Sequence, residues 1–361
     1  MNTFGFRIHI TFSGESHGDF LSVVMEGLPK GLRLNEEEIR KDLEKRRPKG
    51  DLATARREKD EYRIVSGLTD GCLDGSPLTF VVPNADVRPQ DYDNLRSVPR
   101  PGHADYPAWV RDPDFFGHTG GGPYSGRLTV LFSIVGAIAR QILAPKGIRI
   151  VSHFASVGGI EDLPLPAVHF SDELLSRLES AVFPLVDPSR ENLMKDAVRA
   201  AKEASDTLGG IIESSILGVP AGYGEPWFDS VESLLSHLLF SIPAVKGVEF
   251  GDGFSFASHP GSEVKDEYEL DPEGKIVTSA NHNGGILGGL TTGMPIRIRT
   301  AIKPASSIGL PQRSVNLETR EPAIVTVGGR HDPCIALRAI HVVNAVLWYG
   351  ILEIMSERDL I

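Results

Sequence analysis

The spacing of apolar positions divides the chain into short strands and a few long helices. Phe6 to Phe12 alternate loosely and Leu21 to Met25 are β-rich, so two strands are expected to flank a glycine-rich turn at Gly14 to Gly18. Asn35 is placed to cap a helix that opens on Glu36, Glu37 and Glu38 and ends on Lys45, Arg46 and Arg47 before Pro48. That charge order is the one a helix dipole favours, and Ile39 and Leu43 supply an apolar stripe. Further strands are predicted at Tyr62 to Val65, Leu78 to Val82, Arg149 to Phe154, Ile211 to Leu217, Gly247 to Phe250 and Ile296 to Ala301. Helices are predicted at Asn192 to Ala204 and Val231 to Phe240.

Two more helices stand apart. Leu128 to Leu143 is apolar nearly all round and Arg338 to Met355 mostly so, which requires other elements to enclose them. The first is shorter than the roughly 20 residues a bilayer needs and is interrupted by Ser133, Arg140 and Gln141, so it reads as a core helix and not a membrane span. Strands interleaved with a few enclosed helices indicate an α+β fold, helices packed on antiparallel sheets. Pro83 to Gly126 carries no period, and loops of that length inside a compact protein are usually functional. The polar, proline-punctuated stretch Pro164 to Asp187 predicts a peripheral insertion, near 160–208, in a single domain covering 1–361.

Composition narrows the class of ligand. The 361 residues are 41% hydrophobic with a net charge of -11, a globular balance that repels nucleic acid and anionic lipid. Any basic cluster must therefore be local, and Lys41 to Arg63 holds one, nine basic residues against six acids. It suits a phosphate or carboxylate ligand, since a guanidinium fork meets two anionic oxygens at once; a solvated helix face is the competing reading. Cys72 and Cys334 are too few for a disulfide framework, in keeping with a reducing cytoplasm, and no His, Cys, Asp or Glu spacing matches a metal site.

Gly14-Glu15-Ser16-His17-Gly18 matches the G-x-S-x-G elbow of serine hydrolases, but an elbow needs a helix after the serine, and here Leu21 to Met25 is β-rich. What remains is a tight turn presenting Ser16 and His17, the latter a proton donor near neutral pH. Arg100-Pro101-Gly102-His103-Ala104-Asp105 lies in the long aperiodic loop. Gly120 to Arg127 is a glycine-rich turn opening into the enclosed helix, able to cradle a phosphate or lie against a planar ring. Near the C-terminus come Asn283 to Gly289, Lys303-Pro304-Ala305-Ser306-Ser307-Ile308 and Gly329-Arg330-His331-Asp332-Pro333-Cys334, together suiting a nucleotide-like cofactor.

This set of blocks, with Ser241 to Glu249, resembles the chorismate synthase family in order and approximate spacing over residues 2 to about 350. The resemblance implies a lyase of aromatic amino acid biosynthesis that converts 5-enolpyruvylshikimate 3-phosphate, a phosphorylated dicarboxylate, into chorismate and phosphate. It implies reduced FMN as cofactor, a β-α-β sandwich of two antiparallel sheets enclosing helices, and a homotetramer. The resemblance allows reduction of the flavin either by the chain with NADPH or by an external flavin reductase. By the same resemblance His17, His103 and Asp332 handle protons, while Ser16, Arg46, Arg100, Arg127 and Arg330 meet substrate. FMN falls to Pro123, Tyr124, Ser125, Pro243, Ala244, Gly288, Lys303, Pro304, Ala305, Ser306, Ser307 and Arg330.

Three departures stand out. The family's Arg-Ser-Ser-Ala-Arg-Glu-Thr is replaced by Pro123 to Thr129, Leu52 stands where a second basic residue is usual, and Asn344 replaces a common glutamate. Arg56 is the expected substitute for the missing cation, with Lys49 second. The alternative reading is a non-catalytic paralog that keeps flavin or anion binding.

Overall fold

The protein is described by a computed structural model covering residues 2–47, 50, 52, 60–84, 97–112, 121–328 and 331–356. In chain order the first half holds β1 (Thr3–Phe4), β2 (His9–Gly14), β3 (Phe20–Glu26), α1 (Glu36–Arg46), β4 (Arg63–Ser66), β5 (Leu68–Thr69), β6 (Cys72–Leu73), β7 (Leu78–Pro83), α2 (Asp105–Arg111) and α3 (Thr129–Leu143). Next come β8 (Arg149–Val157), β9 (Ile160–Glu161), α4 (Asp172–Ser180), α5 (Glu191–Glu203), β10 (Gly210–Leu217), α6 (Val231–Phe240) and β11 (Val245–Phe250). The chain closes with β12 (Tyr268–Leu270), β13 (Ile276–Thr278), β14 (Ile286–Leu287), β15 (Leu290–Thr291), β16 (Ile296–Ile302), β17 (Gln312–Val315), β18 (Pro322–Val325) and α7 (Ala336–Ser356).

Two five-stranded antiparallel sheets carry the fold, in the orders β1-β2-β3-β7-β4 and β11-β16-β10-β8-β9. Alternation explains their buried faces: Leu21, Val23 and Met25 of β3 and Leu78, Phe80 and Val82 of β7 point inward, as do Ile296, Ile298 and Ile302 of β16. Helix α3 packs on β3, α1 and α7, whereas α7 packs on β8 and β10. Every residue of α3 except Arg140 and Gln141 is buried, so the uniform apolarity read from the sequence reflects enclosure on all sides. At Gly136 the helices cross so closely that a Cβ there would lie 2.3 Å from the Cα of Ala345. Strand β8 is buried on both faces because α4 packs on its outer side through Leu175 and Leu178.

The strand expected over Phe6 to Phe12 is interrupted. The backbone N–H groups of Phe6, Arg7 and Ile8 donate to the buried Glu353 carboxylate, at 2.8 Å from Arg7 and 2.9 Å from Ile8, and so leave the ladder. Tyr349 Oη donates to the Ile8 carbonyl at 2.6 Å, and burial beside Glu353 pushes its phenol well above the usual range. The chain start is thereby pinned to α7.

His153 of β8 is fully buried, with Nδ1 at 2.8 Å from Asp162 and Nε2 at 2.8 Å from Glu213; Arg297 lies 3.5 Å from Glu213 and 4.0 Å from Asp252. Burial alone would lower the histidine and raise the carboxylates, but their mutual hydrogen bonds win: His153 titrates above 6.5, Asp162 below 3.8 and Glu213 below 4.5. The carboxylate contribution to stability is complete above about pH 4.5 and is lost as pH falls. The His153 contribution is complete below about pH 6.5 and is lost as pH rises through its elevated value. Stability from this cluster should therefore peak between those limits. Thermal melts of wild type against His153→Gln, from pH 4 to 9, check it: equal pH slopes in both would sink the assignment.

Candidate active site

The β2–β3 turn carries Ser16 and His17, with Ser16 Oγ 2.9 Å from His17 Nδ1. The turn leads into β3 and not a helix, so no nucleophile elbow exists. Asn84 fastens it, donating from Nδ2 to the carbonyls of Glu15 at 3.0 Å and Gly18 at 2.7 Å. The Asn84 Oδ1 accepts in turn from Arg127 Nε at 3.2 Å. Arg127 also pairs with Asp60, and Arg46 donates to both Asp60 oxygens at 2.9 and 3.0 Å and to Thr129 Oγ1 at 3.3 Å. Ser16, His17, Arg46 and Arg127 are thus one constellation, drawn from the β2–β3 turn, the end of α1 and the turn before α3.

A second constellation forms around Asp105 at the start of α2. Arg100 donates to it from Nε and a terminal nitrogen at 2.8 Å each, and His103 Nδ1 lies at 2.5 Å. Burial would raise the Asp105 carboxyl, yet hydrogen bonds from Arg100 and His103 hold it far below the usual range. The other Arg100 nitrogen donates to Ser307 Oγ at 3.1 Å, while Lys303 Nζ and Ser306 Oγ both donate to the Gly102 carbonyl. Burial, and then the charge of Lys246, lower the Lys303 ammonium below its ordinary value. The Lys303 N–H donates to the Ala244 carbonyl at 2.9 Å, which draws the Pro243-Ala244 loop to the same turn.

Thr207 joins Asp332 to this turn: its Oγ1 accepts from the Ala305 N–H at 3.4 Å and donates to the Asp332 carbonyl at 3.1 Å. The Asp332 carboxylate pairs with Arg338 on α7. Asp332 also lines a cavity of about 750 Å³ between α3, α7 and β8, alone among the described residues of the predicted site. Leu52 lines the same cavity and belongs to the core, which accounts for a leucine at that position. Ser125 Oγ caps the Arg127 N–H at 3.2 Å, and Pro123 and Tyr124 face outward beside it. Gly288 lies apart from the Lys303 turn: the next carbonyl, of Gly289, accepts from Val231 at the start of α6, whereas Ala244 follows the far end of that helix. Arg56, Lys49 and Arg330 lie outside the described residues. Among the described residues no group of three or more His, Cys, Asp or Glu is placed to hold a metal.

Comparison with known proteins bears on this arrangement. The sequence profile described as Chorismate synthase matches residues 8–355. A chorismate synthase of Thermococcus kodakarensis is 40% identical over 354 residues, 98% of this chain and 97% of the relative. One from Methanocella arvoryzae is 41% identical over 361 residues, 100% of this chain and 95% of the other. The chain belongs to the chorismate synthase family. A solved structure titled "Crystal Structure of Chorismate Synthase" superposes with a TM-score of 0.76 at 27% identity, covering 98% of this chain and 93% of that one. The motif resemblance is borne out, and as a chorismate synthase family member the chain is an enzyme of the lyase class.

Sequence reasoning missed Asp60, Asn84, Thr207 and Arg338 as members of the two constellations. Asp60 was one acid among six in a basic block, and nothing in its neighbourhood marked it as buried. Asp105 ends the Arg100 to Asp105 motif, where residue order alone gives it no role.

Proposed function

We propose that the chain converts 5-enolpyruvylshikimate 3-phosphate to chorismate and phosphate by a 1,4 elimination that needs reduced FMN and makes no net redox change. The carrying observation is the pair of constellations, which set two buried arginines beside Ser16–His17 and a third arginine beside an Asp105–His103 pair. The donor set fits a phosphate-bearing cofactor: Lys303, Ser306 and Ser307 on one turn, joined by the Arg100 guanidinium from the segment before α2. Gly102, at φ 73°, lies against this turn, where a Cβ would come within 3.4 Å of Ser306 Oγ. Arg330 and Tyr124 complete the cofactor contacts in this reading.

The reaction breaks the C6–H and C3–O bonds, and phosphate leaves. Bound reduced FMN supplies electron density for that departure. Arg46, Arg100, Arg127 and Arg330 hold the substrate's phosphate and carboxylates, fixing its ring and offsetting its charge. His17, steadied at Nδ1 by Ser16, is the acid for the leaving phosphate. His103 Nδ1 hydrogen-bonds to Asp105, which orients the ring and leaves Nε2 as the nitrogen that would exchange a proton with the bound cofactor. Asp332, held by Arg338, is the carboxylate that accepts a proton.

The same reading includes a single domain, the β-α-β sandwich, supported by α3 lying on β3 and α7 on β8 and β10, and a homotetramer, supported by the exposed Trp227, Phe228 and Phe254. It also includes an external flavin reductase or NADPH as reductant and a cytoplasmic setting, the latter supported by two free cysteines. One experiment tests the function: anaerobic phosphate release with limiting reduced FMN. One flavin should support many product molecules; no phosphate release at any flavin level would leave the non-catalytic paralog.

A further inference from the structure

The two arginines of the first constellation arrive from distant parts of the chain and share one carboxylate. Asp60 is 4% exposed and accepts two hydrogen bonds from Arg46 and one from Arg127, while Asn84 ties Arg127 to the Ser16–His17 turn. Its backbone sits at φ 50°, in the left-handed region that aspartate and asparagine tolerate better than other side chains with a Cβ. Without that carboxylate the two buried guanidiniums would sit in a site one unit more positive, a change that an entering anion would relieve.

We propose that Asp60 is a positioning residue with two roles, since it aims Arg46 and Arg127 as one clamp and also limits the clamp's charge so that the phosphate product is let go. This rests on the reading that Arg46 and Arg127 meet the substrate's anionic groups. A dianion entering the site is attracted by two guanidiniums and repelled by Asp60, so the carboxylate weakens ground-state phosphate binding while keeping the forks in register. Removing a unit charge a few Å from a bound anion changes an equilibrium constant by about tenfold or more even at an effective dielectric of about 20.

The test uses the full chain with inorganic phosphate as probe, titrated calorimetrically without flavin. Asp60→Asn and Asp60→Gly both accept the left-handed backbone, so either keeps the test alive if the other folds poorly. Both should bind phosphate about tenfold more tightly than wild type, show a larger rise in Tm on phosphate addition, and turn over more slowly with stronger inhibition by product phosphate. A merely structural carboxylate would lower Tm without tightening phosphate binding, and that result would overturn the proposal. Arg46→Gln and Arg127→Gln should weaken phosphate binding. Unchanged affinity in both arginine variants would instead overturn the anion-binding role itself, and the proposal with it.

Discussion

Replacing His17 by Ala, His103 by Ala or Asp332 by Asn should each lower turnover by about 10²- to 10⁴-fold, the usual scale for removing a positioned acid or base. The structure adds a prediction for Asp105→Asn, which keeps the shape but loses the charge that fixes His103 Nδ1 and two Arg100 nitrogens. Since Asp105 is held ionised far below neutrality by those partners, its contribution is constant across the working pH range. Asp105→Asn should therefore reproduce much of the His103→Ala loss without shifting the pH optimum through its own titration. The effects of His103→Ala and Asp105→Asn should also fail to add, because both act through one imidazole. Steady-state kinetics with saturating reduced FMN measure this; near wild-type rates in all of the variants would refute the proton-transfer assignments.

The largest effect on folding is expected at Gly136. Every residue of α3 around it is buried, and a Cβ would approach the Ala345 Cα to 2.3 Å and its Cβ to 2.5 Å. Because the first obstacle is backbone and not the tip of a flexible side chain, α3 and α7 must separate, which opens the apolar packing on both sides. Overpacking a tight core typically costs about 1 to 3 kcal/mol, and separating two core helices should place Gly136→Ala at or beyond the upper end of that range. Ala345→Gly in the same chain removes the opposing methyl group but leaves the backbone of α7 in the way, so it should restore part of the lost stability. Thermal melts of the two single variants and the double variant decide it. A Gly136→Ala protein that melts within a degree of wild type would show that the helices do not cross so closely.

The elements with a strong period were legible from residue order alone. Asn35 accepts from the N–H groups of Glu37 and Glu38, α1 buries Ile39 and Leu43, and β3 and β7 form strands where they are expected. Local chemistry sufficed there, because a cap, a dipole and an apolar face act within a few residues of one another. Helix α2, seven residues with Pro107 inside and Ala108 alone buried, has too short and too polar a face to show a period; Asp105 and its partners hold it in place.

Motif blocks likewise marked His17, His103, the arginines and the Lys303 turn, since each is a compact run of chemically distinctive residues. Which charge balances which was decided only by the folded chain. Asp60 meets Arg127 across 67 residues, Thr207 meets Asp332 across 125 and Glu353 meets Ile8 across 345. No local preference encodes such pairs: a carboxylate looks the same in sequence whether it faces water or two buried guanidiniums. The difference comes from the desolvation imposed when α1, α3, α7 and the sheets close over it, and that exists only in the tertiary structure.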